Sequence, residues 1–385
     1  MAYHKNRPLL SVLTAGLLIG MLAWPSLMGS EALAQGAGGP RVYVANSGDG
    51  TVSVVDPARN KVLATVPVGR EPHQVLATRD GSRVYVGNFG EDTVSVIDAS
   101  SLEEVDRIKV GLAPTRLAAT PDGRFVLVNS FGEGNTSVID VATNEVVATV
   151  GGGEGRHGLV VSPDGRLAFA VNNGSDDVSV VEVGSWRVVG TIPVGKQPFG
   201  AAVGPDGSSV YVANAASGTV SVIDVASRSV VDEVAVGSKP LIPAASPDGR
   251  SVYVGNSGDG TVSAIDPAGR AVDATFDVGG SPIGIGFSPD GGLLYVADNA
   301  AGELAVLDRS AGTVVDRLAV GNKPVALAVA PPAGGTPAGS SASLAETGGP
   351  RIGGYFLPGP GVWVAAAVVA VLGAALAVRR IVGSR

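Results

Sequence analysis

The sequence predicts an all-β fold, a seven-bladed β-propeller of four-stranded antiparallel blades, flanked by an N-terminal signal peptide and a C-terminal transmembrane or sorting helix. Three observations predict the propeller. One unit recurs seven times at an unbroken spacing of 42 residues, each unit carries four short strand signals, and none shows helical periodicity.

The first 34 residues read as a targeting segment: Lys5 and Arg7 form a basic start, residues 8–24 an apolar run, and Ala32-Leu33-Ala34 an A-x-A cleavage site. An uncleaved membrane anchor is the competing reading. The small-residue site lies at the usual distance from the apolar run, which favours cleavage before Gln35.

The repeated frame occupies residues 41–330. VYVANSGDGTVSVVD (42–56) returns as VYVGNFGEDTVSVID (84–98) and VYVGNSGDGTVSAID (252–266), with four weaker copies between and after them. One column reads Asp56, Asp98, Asp140, Glu182, Asp224, Asp266, Asp308, and another is glycine at 69, 111, 153, 195, 237, 279 and 321. In the second unit VYVGN (84–88), TVSVID (93–98), EEVDRIKV (103–110) and APTRLAAT (113–120) are β-branched or apolar runs. PDG (121–123) then turns the chain, proline setting φ and glycine taking the left-handed position. β-Helix rungs are shorter than 42 residues, and Trp–Asp propeller repeats would show Gly-His and Trp-Asp signatures that are absent.

The phase of the units predicts how the ring closes. The chain enters at a second strand (41–46) and leaves through an unpartnered inner strand, PVALAVA (324–330), which is expected to complete the first blade and remove its open edge. The tetrapeptides YVAN (43–46, 211–214) and YVGN (85–88, 253–256), followed by VSVID and SPDG, resemble the YVTN family of seven-bladed β-propellers. The resemblance departs at the third position, where Ala or Gly replaces Thr, and the tetrapeptide is lost in units three and four. It implies the fold and little about activity, since propellers host hydrolases, lyases, binding proteins and scaffolds.

Residues 331–343 (PPAGGTPAGSSAS) read as a flexible linker. Residues 344–385 follow, with Leu344, Ala345, Glu346, Thr347 and Gly348, a Gly/Pro-rich spacer, the apolar run 361–378, and Arg379, Arg380 and Arg385. Eighteen apolar residues just span a bilayer, and the arginines would hold the tail in the cytoplasm. The order resembles a sortase cell-wall sorting signal of the LAXTG type found in actinobacterial surface proteins. It implies cleavage between Thr347 and Gly348, with sortase and peptidoglycan as partners and the membrane helix 361–378 as a temporary handle. A plain single-pass anchor is the alternative. The expected location is the exported, cell-surface face of a Gram-positive cell.

Charge and composition exclude several functions. Between residues 35 and 347 there are 21 Lys and Arg against 34 Asp and Glu, a net of −13, which repels phosphate backbones and argues against nucleic acid. The absence of cysteine removes cysteine nucleophiles and thiolate metal sites. GEGRHG (153–158) fits G-x-G-x-x-G but lies between strands with no helix to follow, so it is not a dinucleotide fingerprint. Trp186 is the one tryptophan of the repeats, which weakens any quinone-docking reading.

Most repeated residues have plain roles: the tyrosines of the strands as packing between blades, and the Asp column, with Asn46, Asn88, Asn214 and Asn256, as caps of the following turns. Function is therefore sought where the units differ. The position after the recurrent loop proline holds His73, Thr115, His157, Phe199, Leu241, Ile283 and Val325, the next holds Gln74 and Arg116, and Arg156 replaces the proline itself. His73, Arg116, Arg156 and His157 thus fall on three consecutive blades at the channel mouth, a cationic cluster in an acidic protein. They are the candidate ligand-binding residues, suited to a carboxylate or phosphate. The plainer reading is solvated loop residues paired with Glu71 and Glu154. No catalytic constellation, cofactor or metal site is read from the sequence. The leading expectation is a non-enzymatic binding or interaction module for an unknown surface ligand or protein. The alternative is an extracellular lactonase-like hydrolase or lyase acting at those four residues.

Overall fold

A computed structural model describes residues 39–332 apart from residue 205. The export segment 1–34, all but the first two residues of the linker 331–343, and the sorting segment 344–385 lie outside the described residues.

Seven four-stranded antiparallel sheets follow one another along the chain. The first holds β1 (Arg41–Asn46), β2 (Thr51–Asp56) and β3 (Lys61–Pro67). The second is β4 (Pro72–Ala77), β5 (Arg83–Asn88), β6 (Thr93–Asp98) and β7 (Glu103–Lys109). The third is β8 (Pro114–Ala119), β9 (Phe125–Ser130), β10 (Asn135–Asp140) and β11 (Glu145–Val150), and the fourth β12 (Arg156–Val161), β13 (Leu167–Asn172), β14 (Asp177–Glu182) and β15 (Arg187–Pro193). β16–β19 (198–235), β20–β23 (240–277) and β24–β27 (282–319) complete the series. The last strand, β28 (Pro324–Ala330), returns to the first sheet in the order β28-β1-β2-β3. It pairs antiparallel with β1 from Arg41↔Ala330 to Val44↔Leu327, so the two ends of the ring meet in one blade as the repeat phase requires.

Local chemistry accounts for each blade. The residue before each third strand takes positive φ and is Gly50, Asp92, Gly134, Asp176, Gly218, Gly260 or Gly302, glycine or an aspartate, both of which tolerate that left-handed position. The Asp column caps the next turn: the carboxylates of Asp56, Asp98 and Asp266 accept backbone N–H groups two and three residues on. The tyrosines pack between blades, Tyr43 against Val84, Val86 and Ile97, and Tyr85 against Val126, Val128 and Ile139. Phe169 takes that role in the fourth blade against Val210, Val212 and Ile223.

The asparagines are not turn caps, contrary to the sequence reading. Asn46, Asn88, Asn214 and Asn256 are fully buried, and each donates Nδ2 across its own hairpin to a threonine and a serine, for Asn214 at 3.0 Å to Thr219 and 2.9 Å to Ser221. The glycine column lies against them. A Cβ at Gly69, Gly195, Gly237 or Gly321 would stand 2.5–2.6 Å from Asn88, Asn214, Asn256 or Asn46. Ser53 donates on to the Val320 carbonyl at 2.6 Å. Gly237 N–H donates to Asn256 Oδ1 at 3.2 Å, so hydrogen bonds tie the Asn46 and Asn256 hairpins to the loop arriving from the preceding blade, and close packing on the glycine does so at Asn88 and Asn214. Backbone bonds repeat the tie, as in Phe89 N–H to Glu71 O and Ser47 N–H to Lys323 O, both 3.0 Å. These stitches hold the mouth of the channel, where the inner strands begin.

Candidate functional site

The inner strands β4, β8, β12, β16 (Pro198–Val203), β20 (Pro240–Ala245), β24 (Pro282–Phe287) and β28 surround the axis. Their side chains leave a throat of about 100 Å³, lined on one side by Gln74 and Arg116 and elsewhere by Leu117, Leu159, Ile242, Ile285, Leu327 and small residues. None of the lining side chains is acidic. Arg116 is 6% exposed, and one guanidinium nitrogen, Nη1, donates to Gln74 Oε1 while the buried Nη2 has no partner. Burial lowers its pKa to about 10, so it carries its charge at neutral pH. A desolvated guanidinium with an unused donor facing a carboxylate-free throat is a seat for an anion.

His73 and His157 lie close to it. Their rings meet edge to face with centroids 5.4 Å apart, reaching across the third blade because Thr115, between them in the repeat column, is small and buried. Phe89 lies 5.5 Å from the His73 ring, and Phe199 stacks 3.6 Å from His157. His157 Nδ1 is buried without a partner, and His73 Nδ1 lies 3.4 Å from the Thr115 carbonyl oxygen. Burial, and secondarily the charge of Arg116, lowers the His73 pKa to about 4 despite the Thr115 carbonyl. Burial also holds His157 well below the usual imidazole range, with His73 and Arg116 adding to the effect. Both imidazoles are neutral at pH 7.

Arg156 does not join them, which corrects the sequence reading. It is fully buried and turns away from the throat into the seam between the third and fourth blades. Its Nη1 donates to Thr136 Oγ1 and to the Val150 carbonyl (3.1 Å), and its Nη2 to the Gly151 carbonyl (3.2 Å). Thr136 in turn donates to Asn129 Oδ1 at 2.6 Å, Asn129 to the Gly158 carbonyl at 2.7 Å, and Thr115 to the Arg156 carbonyl at 3.0 Å. Burial lowers its pKa to about 10, opposed by the charge of Asp177. The seam is polar near the mouth where the corresponding positions elsewhere hold proline and either valine or leucine.

The solvated-loop alternative also fails for the arginines: they are buried, and the bonds they make go to Gln74, Thr136 and backbone carbonyls and not to Glu71 or Glu154, which stay exposed. The G-x-G-x-x-G stretch leads straight into strand β12. Among the described residues no group of three or more His, Asp or Glu is placed to hold a metal ion.

Sequence reasoning missed Thr136 and Asn129 as partners of Arg156. Their signal was present: Thr136 interrupts a column of Val52, Val94, Val178, Val220 and Val262 in the blade that faces the lost proline. Two breaks in facing columns mark one contact.

The YNCE-like β-propeller family model matches residues 6–107, 79–172 and 161–242, together more than half of the chain. The chain belongs to this family. No curated protein sequence matches it. Solved structures similar to this YNCE-like chain include a protein of unknown function from Desulfotomaculum acetoxidans, with TM-score 0.68 and 18% identity over 76% of this chain and 99% of that one. A proposed 6-phosphogluconolactonase from Bacteroides fragilis is similar at TM-score 0.66 and 18% identity, over 76% of this chain and 98% of that one. Hydrazine synthase from Kuenenia stuttgartiensis is similar at TM-score 0.60 and 22% identity, over 66% and 88%. At these identities the likeness is one of fold.

Proposed function

We propose that this YNCE-like propeller is a binding module that takes a small anion in its throat, without turning it over. The observation that carries this reading is the buried Arg116, charged, with Nη2 unpartnered, in a throat with no acidic lining. Leaving a buried guanidinium donor unsatisfied is costly, and a bound anion removes that cost. Gln74 orients the guanidinium through its Nη1. The throat of about 100 Å³ is well below the roughly 300 Å³ at which small-molecule pockets begin, so it admits a head group and not a whole sugar phosphate.

Calorimetric titration of the full-length chain with acetate and inorganic phosphate tests the reading. Saturable one-site binding that Arg116→Gln abolishes supports it. Heat that is unsaturable, or that persists in the variant, ends it. Turnover of lactones or glycosides by the same preparation would favour the hydrolase alternative, for which the neutral His73 and His157 are the available bases.

We infer that the export segment 1–34 delivers the propeller outside the cell and that sortase joins Thr347 to peptidoglycan. What supports this is the order of the LAETG motif, apolar run and basic tail.

A further inference from the structure

Resting on the reading that the throat takes an anion, we propose that the ligand is an amphipathic monocarboxylate, its head group at Arg116 and its hydrocarbon body on the collar of side chains above the throat. The throat holds a head group and little more. The second residue of each inner strand, on the mouth side of the throat, belongs to a collar of two kinds. His73 and His157, with the small Thr115 between them, form one side; half-buried Phe199, Leu241 and Ile283 form the other. Phe199 joins the two sides through its stack on His157. A ligand anchored at Arg116 and extending toward the mouth lies along this collar, and apolar atoms placed there lose water at both surfaces.

Charge balance selects a monoanion. Arg116 is the one cation lining the throat, because both imidazoles are neutral and Arg156 is committed to the seam. A phosphate dianion would leave a second charge uncompensated in a poorly solvated site. A carboxylate is matched by the single guanidinium.

The test is a chain-length series on the full-length protein by calorimetry at pH 7: acetate, butanoate, hexanoate and benzoate, with inorganic phosphate as the competing anion. Each methylene that reaches the collar is expected to tighten binding about fourfold. Phe199→Ala and Leu241→Ser should weaken hexanoate at least fivefold and leave acetate unchanged, and unchanged acetate binding also shows that each variant is folded. If acetate and hexanoate bind equally, and both depend on Arg116, the amphipathic ligand is wrong while the anion throat stands. If phosphate binds more tightly than hexanoate, the choice of a monocarboxylate is wrong. If none of the anions binds, both readings fall together.

Discussion

The imidazole of His73 meets that of His157 edge to face at 5.4 Å, although two full repeats separate them in the chain. The ring of blades brings them together, and burial beside Arg116 holds both neutral. This contact gives stability a pH dependence of known sign. In the unfolded chain both titrate near 6.5, while in the folded protein His73 titrates at about 4 and burial holds His157 well below the usual imidazole range. The unfolded state therefore binds more protons between those values. Stability is full above pH 6.5 and is lost as pH falls through about 4. Thermal midpoints at pH 7, 5.5 and 4.5 should decline in that order, and the paired variant His73→Gln, His157→Gln should flatten the decline. The capped aspartates, whose folded pKa values lie below the ordinary carboxylate value, lose their contribution only at lower pH.

Removal of residues 324–330 should weaken the whole ring. β28 supplies the inner strand of the first blade, and without it β1 and the inner face of the last blade are both uncovered. Circular dichroism melts should show a markedly lower and broader transition than the intact chain. A truncation that melts like the parent would contradict the closure.

Gly195→Ala should cost about 1–3 kcal/mol, because its Cβ would stand 2.5 Å from Asn214 Nδ2 and the buried amide has no room to withdraw. Asn214→Ala alone should also destabilise, by loss of its bonds to Thr219 and Ser221. In the double variant the clash is gone, so the two costs should sum to more than the measured total. Denaturant unfolding of the four proteins reads the coupling.

Arg156→Ala is expected to destabilise by about 2–4 kcal/mol, through a cavity and the unpaired acceptors at Val150, Gly151 and Thr136. Acetate affinity should stay unchanged in the variant. A lost acetate site in a protein that still melts cooperatively would return Arg156 to the throat.

Thr347→Ala should leave the protein in the membrane fraction, extractable by detergent, because a sortase must acylate itself on the Thr347 carbonyl before transfer to the wall. The parent protein should resist detergent and come free on muralytic digestion with Thr347 as its last residue. Peptides from 362–379 in the mature surface protein would show a permanent anchor instead.

By itself the sequence determined the architecture. A 42-residue unit with four short β-branched or apolar runs, left-handed turn positions and a recurring Asp cap has one economical solution, and the odd phase of its first and last strands dictated closure. These are local signals: strand, turn and cap are each decided within a few residues, and repetition multiplies them. The Asn and Gly columns were visible, but their meaning was not, because the asparagine of one hairpin meets the glycine of the preceding loop only after the blades stack. The candidate site was legible to the same limit. His73, Arg116 and His157 stood out as breaks in the repeat, yet only tertiary structure decided that the histidines touch, that Arg116 faces the throat, and that Arg156, one residue from His157, points the other way. A β-bulge between Arg156 and Leu159 breaks the regular alternation at the start of β12, so which way each side chain turns there is set by the packing of the third and fourth blades and not by sequence spacing.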